Sequence, residues 1–344
     1  MKLEQLIQGK ETFRMAFLGG SITEGAGASC REKRYASRLT AAIARRHPDV
    51  KVEEINAGVG GTPSALGMFR MNRDVMEQHP DILFVEFAVN DGAAGCAKYM
   101  EGIVRNALRQ KPELPIVFLY TFSAGRYEIH LAGNRSDVME QHHRVAEAYH
   151  IPEIDLAADL ARKIRDYGGD YHFFMKDGAH PNDDGYACYT DTIMAHLYDF
   201  DFALTFPRTP VSGVDFAAPH MDLAENHTGE GFALSNHSLY GRTPHYLYAS
   251  TPGSTLTYEF DGQAIGGYIT IEKDSGDVAV EIDGNHLRDL STWDQYALQF
   301  NRSAFVLFAE DLPCGHHVLR LTVLPTKNEK SEGTFFRIGA FLVG

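Results

Sequence analysis

Short apolar runs alternate with helically spaced stretches along the first part of the chain. Five runs predict strands: FRMAFLG (13–19), VKVEEIN (50–56), ILFVEFAV (82–89), IVFLYTF (116–122) and IPEIDL (151–156). Several are apolar almost throughout, which is typical of a parallel sheet covered on both faces. Between them, stretches such as RYASRLTAAIARRH place apolar residues at helical intervals. This alternation predicts an α/β/α domain with a parallel five-stranded sheet.

The pattern changes after about residue 203. The segment LTFPRTPVSGV (204–214) contains two prolines and a glycine, a composition that indicates a linker. Beyond it, alternating runs such as STLTYEF, VAVEIDG and HHVLRLTVL are separated by Gly, Asp, Asn or Pro, as in an antiparallel sandwich. A chain of 344 residues is also long enough for two domains. We therefore predict an α/β domain over residues 1–203 and an all-β sandwich over residues 204–344.

Composition and charge narrow the classes of partner. The chain is 44% hydrophobic and 23% charged, which is ordinary for a globular protein with a buried core. Its net charge of −14 repels phosphate backbones, so we expect no nucleic-acid partner. The first residues, MKLEQLIQGKETFRM, lack the apolar core of a secretory signal. Because no apolar run reaches the roughly 18 residues of a membrane span, we expect no membrane partner either.

The cysteines bear on the compartment. Four of them are far apart with no CxxC pair: Cys30, Cys96, Cys188 and Cys314. This spacing fits free thiols in a reducing compartment better than a disulfide framework or a zinc site. We therefore expect a cytoplasmic protein.

The first predicted strand ends in Gly19, Gly20 and Ser21, and three roles are open for this serine. In the first, the glycines turn the chain and the serine starts a helix. In the second, the segment is a phosphate loop, GxxxxGK followed by Ser or Thr. Gly20 and Gly25 have the right separation for that loop, but Ala26 replaces the lysine that holds the triphosphate. In the third, Ser21 is a nucleophile, which requires a base, a group that orients the base, and oxyanion donors.

A base with an orienting acid is present in KDGAHPND (176–183). Asp177 and His180 are three residues apart, so one turn can bring the carboxylate to the imidazole Nδ1 and leave Nε2 facing a serine. Pro181 keeps His180 extended and is suited to start the helix that follows. We expect surface positions for the remaining paired histidines, which are His142, His143, His316 and His317.

Two other loops offer oxyanion donors. NAGVGGT (56–62) follows the second predicted strand and could present the backbone N–H of Gly61, where a side chain would obstruct. EFAVNDG (86–92) follows the third and offers the side-chain amide of Asn90, although each loop alone also fits an ordinary turn. A third donor is the N–H of Ser21, which is unpaired at a helix start. These elements occur together, each at the end of a strand or at the final helix. We therefore favour the third role, in which Ser21 is a nucleophile.

The blocks GGSIT, NAGVGG, VND and DGAHP resemble those of the SGNH (GDSL-type) hydrolases, across about residues 13–200. The resemblance implies a flavodoxin-like catalytic domain and a serine esterase that requires no metal or cofactor. It also implies a set of site residues: the catalytic Ser21, Asp177 and His180, and an oxyanion hole of Ser21, Gly61 and Asn90. One departure is that Gly20 replaces an aspartate that is common before the serine, so the local hydrogen bonding must differ.

The second domain bears on the substrate. Its segments VAVEIDG and EDLPCGHHVLRLTV resemble strands of jelly-roll modules attached to carbohydrate-active enzymes. This looser resemblance, to two-domain mannan acetylesterases among others, implies a carbohydrate acetylesterase acting on acetylated mannan or xylan oligosaccharides. A small-acyl esterase, a lysophospholipase or a thioesterase of the same superfamily is the alternative. A non-catalytic carbohydrate-binding protein is disfavoured by the complete set of catalytic residues.

Two aromatic residues are candidates for stacking on a sugar ring. Trp293 lies in the polar stretch DLSTWDQYALQF, and Tyr127 follows the fourth predicted strand. A lone tryptophan in a β-sandwich is, however, also typical of a partly buried core. The sequence leaves formation of a homo-oligomer open.

Overall fold

The computed structural model describes residues 1–239 and 243–344. Within these ranges the chain divides into two compact units, Met1–Asp215 and Phe216–Gly344. The first is an α/β unit with a parallel sheet, and the second is built of antiparallel strands. The predicted fold class is therefore confirmed.

The first unit ends at Asp215 rather than at the predicted boundary after residue 203. The Arg105 guanidinium donates hydrogen bonds of 2.8 and 2.9 Å to the Asp215 carboxylate, and one of 2.9 Å to the Pro207 carbonyl. The buried Glu101 carboxylate accepts the N–H groups of residues 211 and 212 at 2.9 and 2.8 Å. These long-range polar contacts hold the predicted linker to the first unit, and its local composition gives no sign of them.

Five parallel strands form the sheet of the first unit: β1 Thr12–Gly19, β2 Lys51–Gly58, β3 Ile82–Glu86, β4 Ile116–Tyr120 and β5 Glu153–Asp155. Their order across the sheet is β2-β1-β3-β4-β5, which is the flavodoxin-like order. Each strand lies where an apolar run predicts one. β3 ends before its apolar run does, because the chain turns there and the Phe87 carbonyl accepts the N–H groups of Asn90 and Asp91 at 2.9 Å.

Helices cover both faces of this sheet. Their bounds are α1 Leu3–Ile7, α2 Ser21–Glu24, α3 Tyr35–Arg46, α4 Ser64–Asp74, α5 Cys96–Gln110, α6 Tyr127–Leu131, α7 Asp137–Tyr149, α8 Leu156–Asp166 and α9 Asp183–Leu197. Helices α1, α3, α8 and α9 share one apolar cluster with Phe13, Met15 and Phe17 of β1. Helix α5 contacts both α4 and α7 on the opposite face. Both faces are thus covered, and every residue of β3 and β4 is buried.

The carboxyl ends of three neighbouring strands lie at the same level of the sheet. Gly19, the last residue of β1, pairs with the last residue of β2 and with the last residue of β3. The segments that follow these strands carry Ser21, Gly61 and Asn90. The register therefore brings all three to the edge where open parallel sheets bind their ligands.

Ten strands form the second unit: β6 His220–Leu223, β7 Ala233–Leu234, β8 Leu247–Ala249, β9 Thr255–Gly262, β10 Ile265–Ile271, β11 Asp277–Ile282, β12 Asn285–Ser291, β13 Arg302–Ala309, β14 Gly315–Val323 and β15 Phe336–Val343, within the described ranges. One sheet has the order β13-β10-β15-β8-β7, with β6 beside β15, and the other has the order β12-β11-β14-β9. Alternate residues of β11 and β14, such as Val278, Val280, Leu319 and Leu321, enter one shared core. This arrangement is a β-sandwich.

Strand β12 has no signal in the apolar pattern. Its sequence NHLRDLS is exposed almost throughout, and it is held by backbone pairing with β11 along an edge of the sheet. The alternating runs predict β9, β10, β11, β13, β14 and β15, and they miss β12 and the short strands β6, β7 and β8.

Short 3-10 turns lie at Arg31–Lys33, Met76–Gln78, Ala124–Arg126, Tyr171–Phe173, Ala224–Asn226 and Gln295–Leu298. Of the helices that the structure describes, none has the length and hydropathy needed to cross a membrane. The four cysteines are free thiols, with Cys96 and Cys188 buried and Cys30 and Cys314 exposed. The cytoplasmic location stays a prediction.

Candidate active site

Ser21 lies at the first position of α2, directly after the turn that ends β1. Its hydroxyl oxygen is 2.8 Å from Nε2 of His180. Helix α2 is only four residues long, and the Tyr186 hydroxyl of α9 secures it by donating to the carbonyls of Ile22 and Ala26, at 3.0 and 2.8 Å. The short helix thus holds Ser21 against the segment that carries His180.

Asp177 orients His180 within a single turn. Nδ1 of the imidazole lies 2.8 Å from Oδ2 and 3.1 Å from Oδ1 of Asp177. Oδ1 also accepts the backbone N–H groups of Ala179 and His180, at 2.8 Å each. Burial raises the pKa of Asp177, but hydrogen bonds from His180 and from these backbone groups outweigh it and lower the pKa to about 2. The ionised carboxylate favours the tautomer with Nδ1 protonated, which leaves Nε2 able to accept a proton from Ser21.

The glycine pair after β2 lies over the nucleophile. A Cβ on Gly60 would be 3.6 Å from the Cβ of Ser21, and the Gly60 N–H donates to the Glu24 carboxylate at 2.9 Å. Gly61 has a φ of 69°, in the left-handed region that favours glycine. The expected obstruction by a side chain at Gly61 is not found, because a Cβ there would meet no described atom within 4 Å. The backbone conformation, rather than crowding, accounts for this glycine.

Asn90 reaches the same point from the β3 side. A Cβ on Gly20 would lie only 2.1 Å from Oδ1 of Asn90, so the Asn90 side chain occupies the space next to residue 20. The aspartate that is common at this position in the resembled family would therefore collide with Asn90. Oδ1 of Asn90 is buried and has no hydrogen-bond partner in the part of the chain that the structure describes. Gly60 and Asn90 thus both lie beside the Gly20–Ser21 turn, and the oxyanion-hole roles of Ser21, Gly61 and Asn90 stay a prediction.

Asp91 connects the Asn90 segment to the helix that follows Gly61. Its Oδ1 accepts the Ser64 N–H at the start of α4 at 2.8 Å, and its Oδ2 lies 2.9 Å from Nε2 of His142. The side chains of Asp91 and His142 are each 2% exposed. The segment with Asn90 and the segment with Gly61 are therefore both connected to the buried pair of Asp91 and His142.

The prediction of surface positions is wrong for two of the paired histidines. His142 lies on the inner face of α7, beside the rings of Phe118 and Tyr120. His317 is also buried, 2.7 Å from the Asp283 carboxylate. Each finds a polar partner distant in sequence, which local sequence pattern does not reveal. His143 is partly buried and His316 is exposed.

One buried group has the donor types of a metal site. The ligand atoms of Asp91, Cys96 and His142 all lie within 4.8 Å of one another, and zinc accepts such a set. Both carboxylate oxygens of Asp91 are, however, already engaged by Ser64 and His142. Burial also raises the pKa of the Cys96 thiol to about 12, so the thiol stays protonated. We assign no metal to this group.

Glu86, the last residue of β3, is a fully buried carboxyl group behind the Ser21 turn. It accepts the hydroxyl groups of Thr121 and Thr23 at 2.8 and 3.1 Å, and the Gly20 N–H. Burial raises the pKa of Glu86 to about 7 despite these hydrogen bonds. Glu86 is not among the residues predicted for the site, although a single acidic residue inside the apolar run ILFVEFAV is a visible signal.

The raised pKa of Glu86 predicts a pH-dependent stability. The folded-state pKa of about 7 exceeds the ordinary 4.5, so this group favours folding fully below pH 4.5 and loses that contribution as pH rises through 7. The loss amounts to about 3 kcal/mol by about pH 8.5. Glu86→Gln cannot ionise, so its free energy of unfolding relative to wild type should rise by about 2.5 kcal/mol between about pH 5 and about pH 8.5, measured by denaturant unfolding.

The control for Glu86 is Glu77→Gln, a change at an exposed glutamate. Its difference from wild type should be the same at both pH values. An equal loss of stability in wild type and Glu86→Gln would show that Glu86 does not change its charge over this range.

Neither predicted aromatic contact is an open stacking surface. Tyr127 begins α6, is partly buried and packs edge-on against Phe122, with ring centroids 6.2 Å apart. Trp293 is 9% exposed within the core of the second unit. The preceding residue, Thr292, anchors the chain by donating both its N–H and its hydroxyl to the Gly276 carbonyl, at 3.1 and 2.7 Å. The burial of Trp293 therefore supports a role in the core of the sandwich rather than in stacking on a sugar.

Comparison with known proteins bears on the class of the chain. The family model described as "GDSL-like Lipase/Acylhydrolase family" matches residues 17–188, which is half of the chain. Two solved structures are similar over nearly the whole chain. One is a two-domain esterase (CEX) active on acetylated mannans, co-crystallized with mannopentaose, at 20% identity and a TM-score of 0.84, covering 99% of this chain and 92% of that one. No curated protein sequence matches the chain.

The second similar structure is again a two-domain esterase (CEX) active on acetylated mannans, at 21% identity and a TM-score of 0.83. It covers 99% of this chain and 93% of that one. At identities this low, the similarity shows a shared fold and no more. The protein is a carboxylic ester hydrolase, with a flavodoxin-like unit followed by a β-sandwich. The chain belongs to the GDSL-like lipase/acylhydrolase family.

Proposed function

We propose that this protein is a serine esterase that removes O-acetyl groups from mannan or xylan oligosaccharides. The observation that carries the proposal is the continuous contact from Ser21 through His180 to Asp177, with 2.8 Å between Ser21 Oγ and Nε2 and 2.8 Å between Nδ1 and Oδ2. A nucleophile, its base and an orienting acid at these distances are the requirements of acyl transfer through a covalent intermediate.

The proposed reaction begins with attack of Ser21 Oγ on the acetyl carbonyl carbon. Nε2 of His180 takes the hydroxyl proton, and Asp177 stabilises the imidazolium through Nδ1. The oxyanion accepts hydrogen bonds from the N–H groups of Ser21 and Gly61 and from the amide of Asn90. These donors suit the role, because within the described residues neither backbone N–H has a protein partner. His180 then protonates the sugar oxygen that leaves, and a water activated by His180 releases acetate from Ser21.

The choice of an acetylated glycan rests on two observations. The two-domain esterase of similar fold acts on acetylated mannans, and the fold match extends over 99% of this chain. The chain also carries a β-sandwich after the catalytic unit, and modules attached to carbohydrate-active enzymes have this kind of fold. Xylan fragments stay within the proposal because neither observation distinguishes the sugar backbone.

The experiment that tests the proposal is acetate release from acetylated manno- and xylo-oligosaccharides, beside p-nitrophenyl esters of increasing acyl length. We expect acetate release from at least one glycan and a rate on the aryl esters that falls as the acyl chain lengthens. Cleavage of aryl acetate with no release from either glycan would refute the proposed substrate. A preference for long acyl chains would favour a lipase or thioesterase, and inactivity on every ester would refute the esterase.

A further inference from the structure

A cleft of about 420 Å³ lies in the first unit between two loops at the carboxyl edge of the sheet. One wall is the segment 91–93, directly after Asn90, and the other is formed by residues of the segment 126–138, after β4. Neither the triad nor the predicted oxyanion donors line this cleft. It is therefore a separate feature whose role the mechanism above leaves open.

Two hydrogen bonds place the cleft beside the reacting groups. The Arg126 guanidinium donates through Nη1 to the Ala88 carbonyl at 2.9 Å, two residues before Asn90. The Ala124 N–H donates to the Gly178 carbonyl at 2.8 Å, between Asp177 and His180 in the sequence. The loop that begins the second wall thus contacts both the Asn90 segment and the His180 segment. A group bound in the cleft would be next to an ester held at Ser21.

The cleft offers hydrogen-bond donors that the described protein residues leave unused. Nε and Nη2 of Arg126 and the side-chain amide of Asn134 make no hydrogen bond within the described ranges. The nearest carboxylate to Arg135 is Glu140 at 3.9 Å, which is beyond hydrogen-bond distance. Planar arginine donors and amides match the hydroxyl and ring oxygens of a sugar.

The charges around the cleft argue for a neutral ligand. The walls carry two arginines, Arg126 and Arg135, and two aspartates, Asp137 and the buried Asp91, so the lining has both signs of charge. A site for a phosphate or a carboxylate would keep its positive charge uncompensated. The partly exposed Ile129 adds one apolar surface, which suits the C–H face of a pyranose ring. An acyl chain would require a more apolar lining than this.

We infer that this cleft binds a neutral sugar ring of the acetylated substrate, with Arg126 and Asn134 donating to its oxygens. The inference rests on the proposed function and extends it from the acetyl group to the sugar. Arg126 is a substrate-binding residue in this assignment, and it takes no part in proton transfer.

The test compares two substrates that share the acetyl ester and differ in the sugar. Arg126→Ala should lower kcat/KM for an acetylated manno-oligosaccharide by about 10- to 100-fold, as expected for loss of a hydrogen bond from a charged donor. Its kcat/KM for p-nitrophenyl acetate should stay within about threefold of wild type. Arg126→Lys should recover part of the oligosaccharide activity. The matched control is Arg144→Ala, at an exposed arginine of α7 whose nearest polar contact is Gln141 at 3.4 Å, and it should leave both substrates unchanged.

Asn134→Ala is a second probe, further along the same wall of the cleft, in case position 126 does not tolerate alanine. It should lower the oligosaccharide activity by about 3- to 10-fold without a change on the aryl acetate. An equal loss on both substrates would overturn the inference, because Arg126 would then act on Asn90 through the Ala88 carbonyl. No loss on the oligosaccharide would overturn it as well. Wild type that cleaves only the aryl acetate would refute the proposed substrate, whereas wild type inactive on both would refute the esterase.

Discussion

Ser21→Ala is expected to lower the rate of acetate release by about 10⁴- to 10⁶-fold, the range found when a serine nucleophile is removed from a complete triad. The alanine retains the backbone N–H and the start of α2, so the oxyanion donors stay in place. Only the attacking oxygen is lost, together with its contact to His180 at 2.8 Å. Initial rates on p-nitrophenyl acetate and on the preferred oligosaccharide measure the effect, and a thermal midpoint close to that of wild type would show that the fold is intact.

The control for this change is Ser123→Ala. Ser123 lies in TFSAG, the nearest imitation of the GxSxG elbow of α/β-hydrolases, but it lacks the first glycine. We expect Ser123→Ala to retain activity within about threefold. Substantial hydrolysis by Ser21→Ala, or a collapse of activity in Ser123→Ala alone, would contradict the assignment of Ser21 as nucleophile.

Asp177→Asn is expected to reduce kcat by about 10³- to 10⁴-fold. The asparagine Oδ1 can still accept the N–H groups of Ala179 and His180, so the turn should persist. Its NH₂ group would face Nδ1 of His180 as a donor, which favours the tautomer with the proton on Nε2. That proton would point at Ser21 and remove the acceptor that the attack needs. The wild-type carboxylate, with a pKa of about 2, supplies the correct tautomer across the ordinary pH range.

A closely matched control is available in the same loop. Asp170 accepts from the N–H of His172 at 2.9 Å and lies 2.8 Å from its Nδ1, which reproduces the local pairing of Asp177 with His180. Because this pair is exposed and makes no contact with Ser21, Asp170→Asn should retain activity within about threefold. Steady-state rates distinguish the two variants, and circular dichroism spectra check that both are folded. Similar rates for both variants and wild type would refute the role of Asp177.

The first unit was predictable because its signals are local. A strand buried on both faces must be apolar almost throughout, and β3 and β4 are buried at every position. The pairing of Asp177 with His180 spans three residues, and the turn before Ser21 is marked by two glycines. The contact between Ser21 and His180, which are 159 residues apart, forms through the packing of α9 beside the segment of α2.

The missed features depend on contacts that no local pattern carries. The partner of His142 is Asp91, 51 residues away, and the partner of Arg105 is Asp215, 110 residues away. Each buries a polar group that an amphipathic pattern assigns to the surface. Trp293 is the reverse case: its neighbours in sequence are polar and indicate an exposed position, but its ring is buried in the core of the sandwich. The Arg126 cleft likewise forms only when two loops from different strands lie side by side.

The close fit between Gly20 and Asn90 limits how this sequence can vary. Any side chain at position 20 begins with a Cβ 2.1 Å from Oδ1 of Asn90, so the common aspartate cannot be introduced by one substitution without displacing the Asn90 amide. A change at either position therefore depends on the residue at the other, and the two form an epistatic pair. A side chain at position 20 therefore requires the Asn90 side chain to move away from the Ser21 turn.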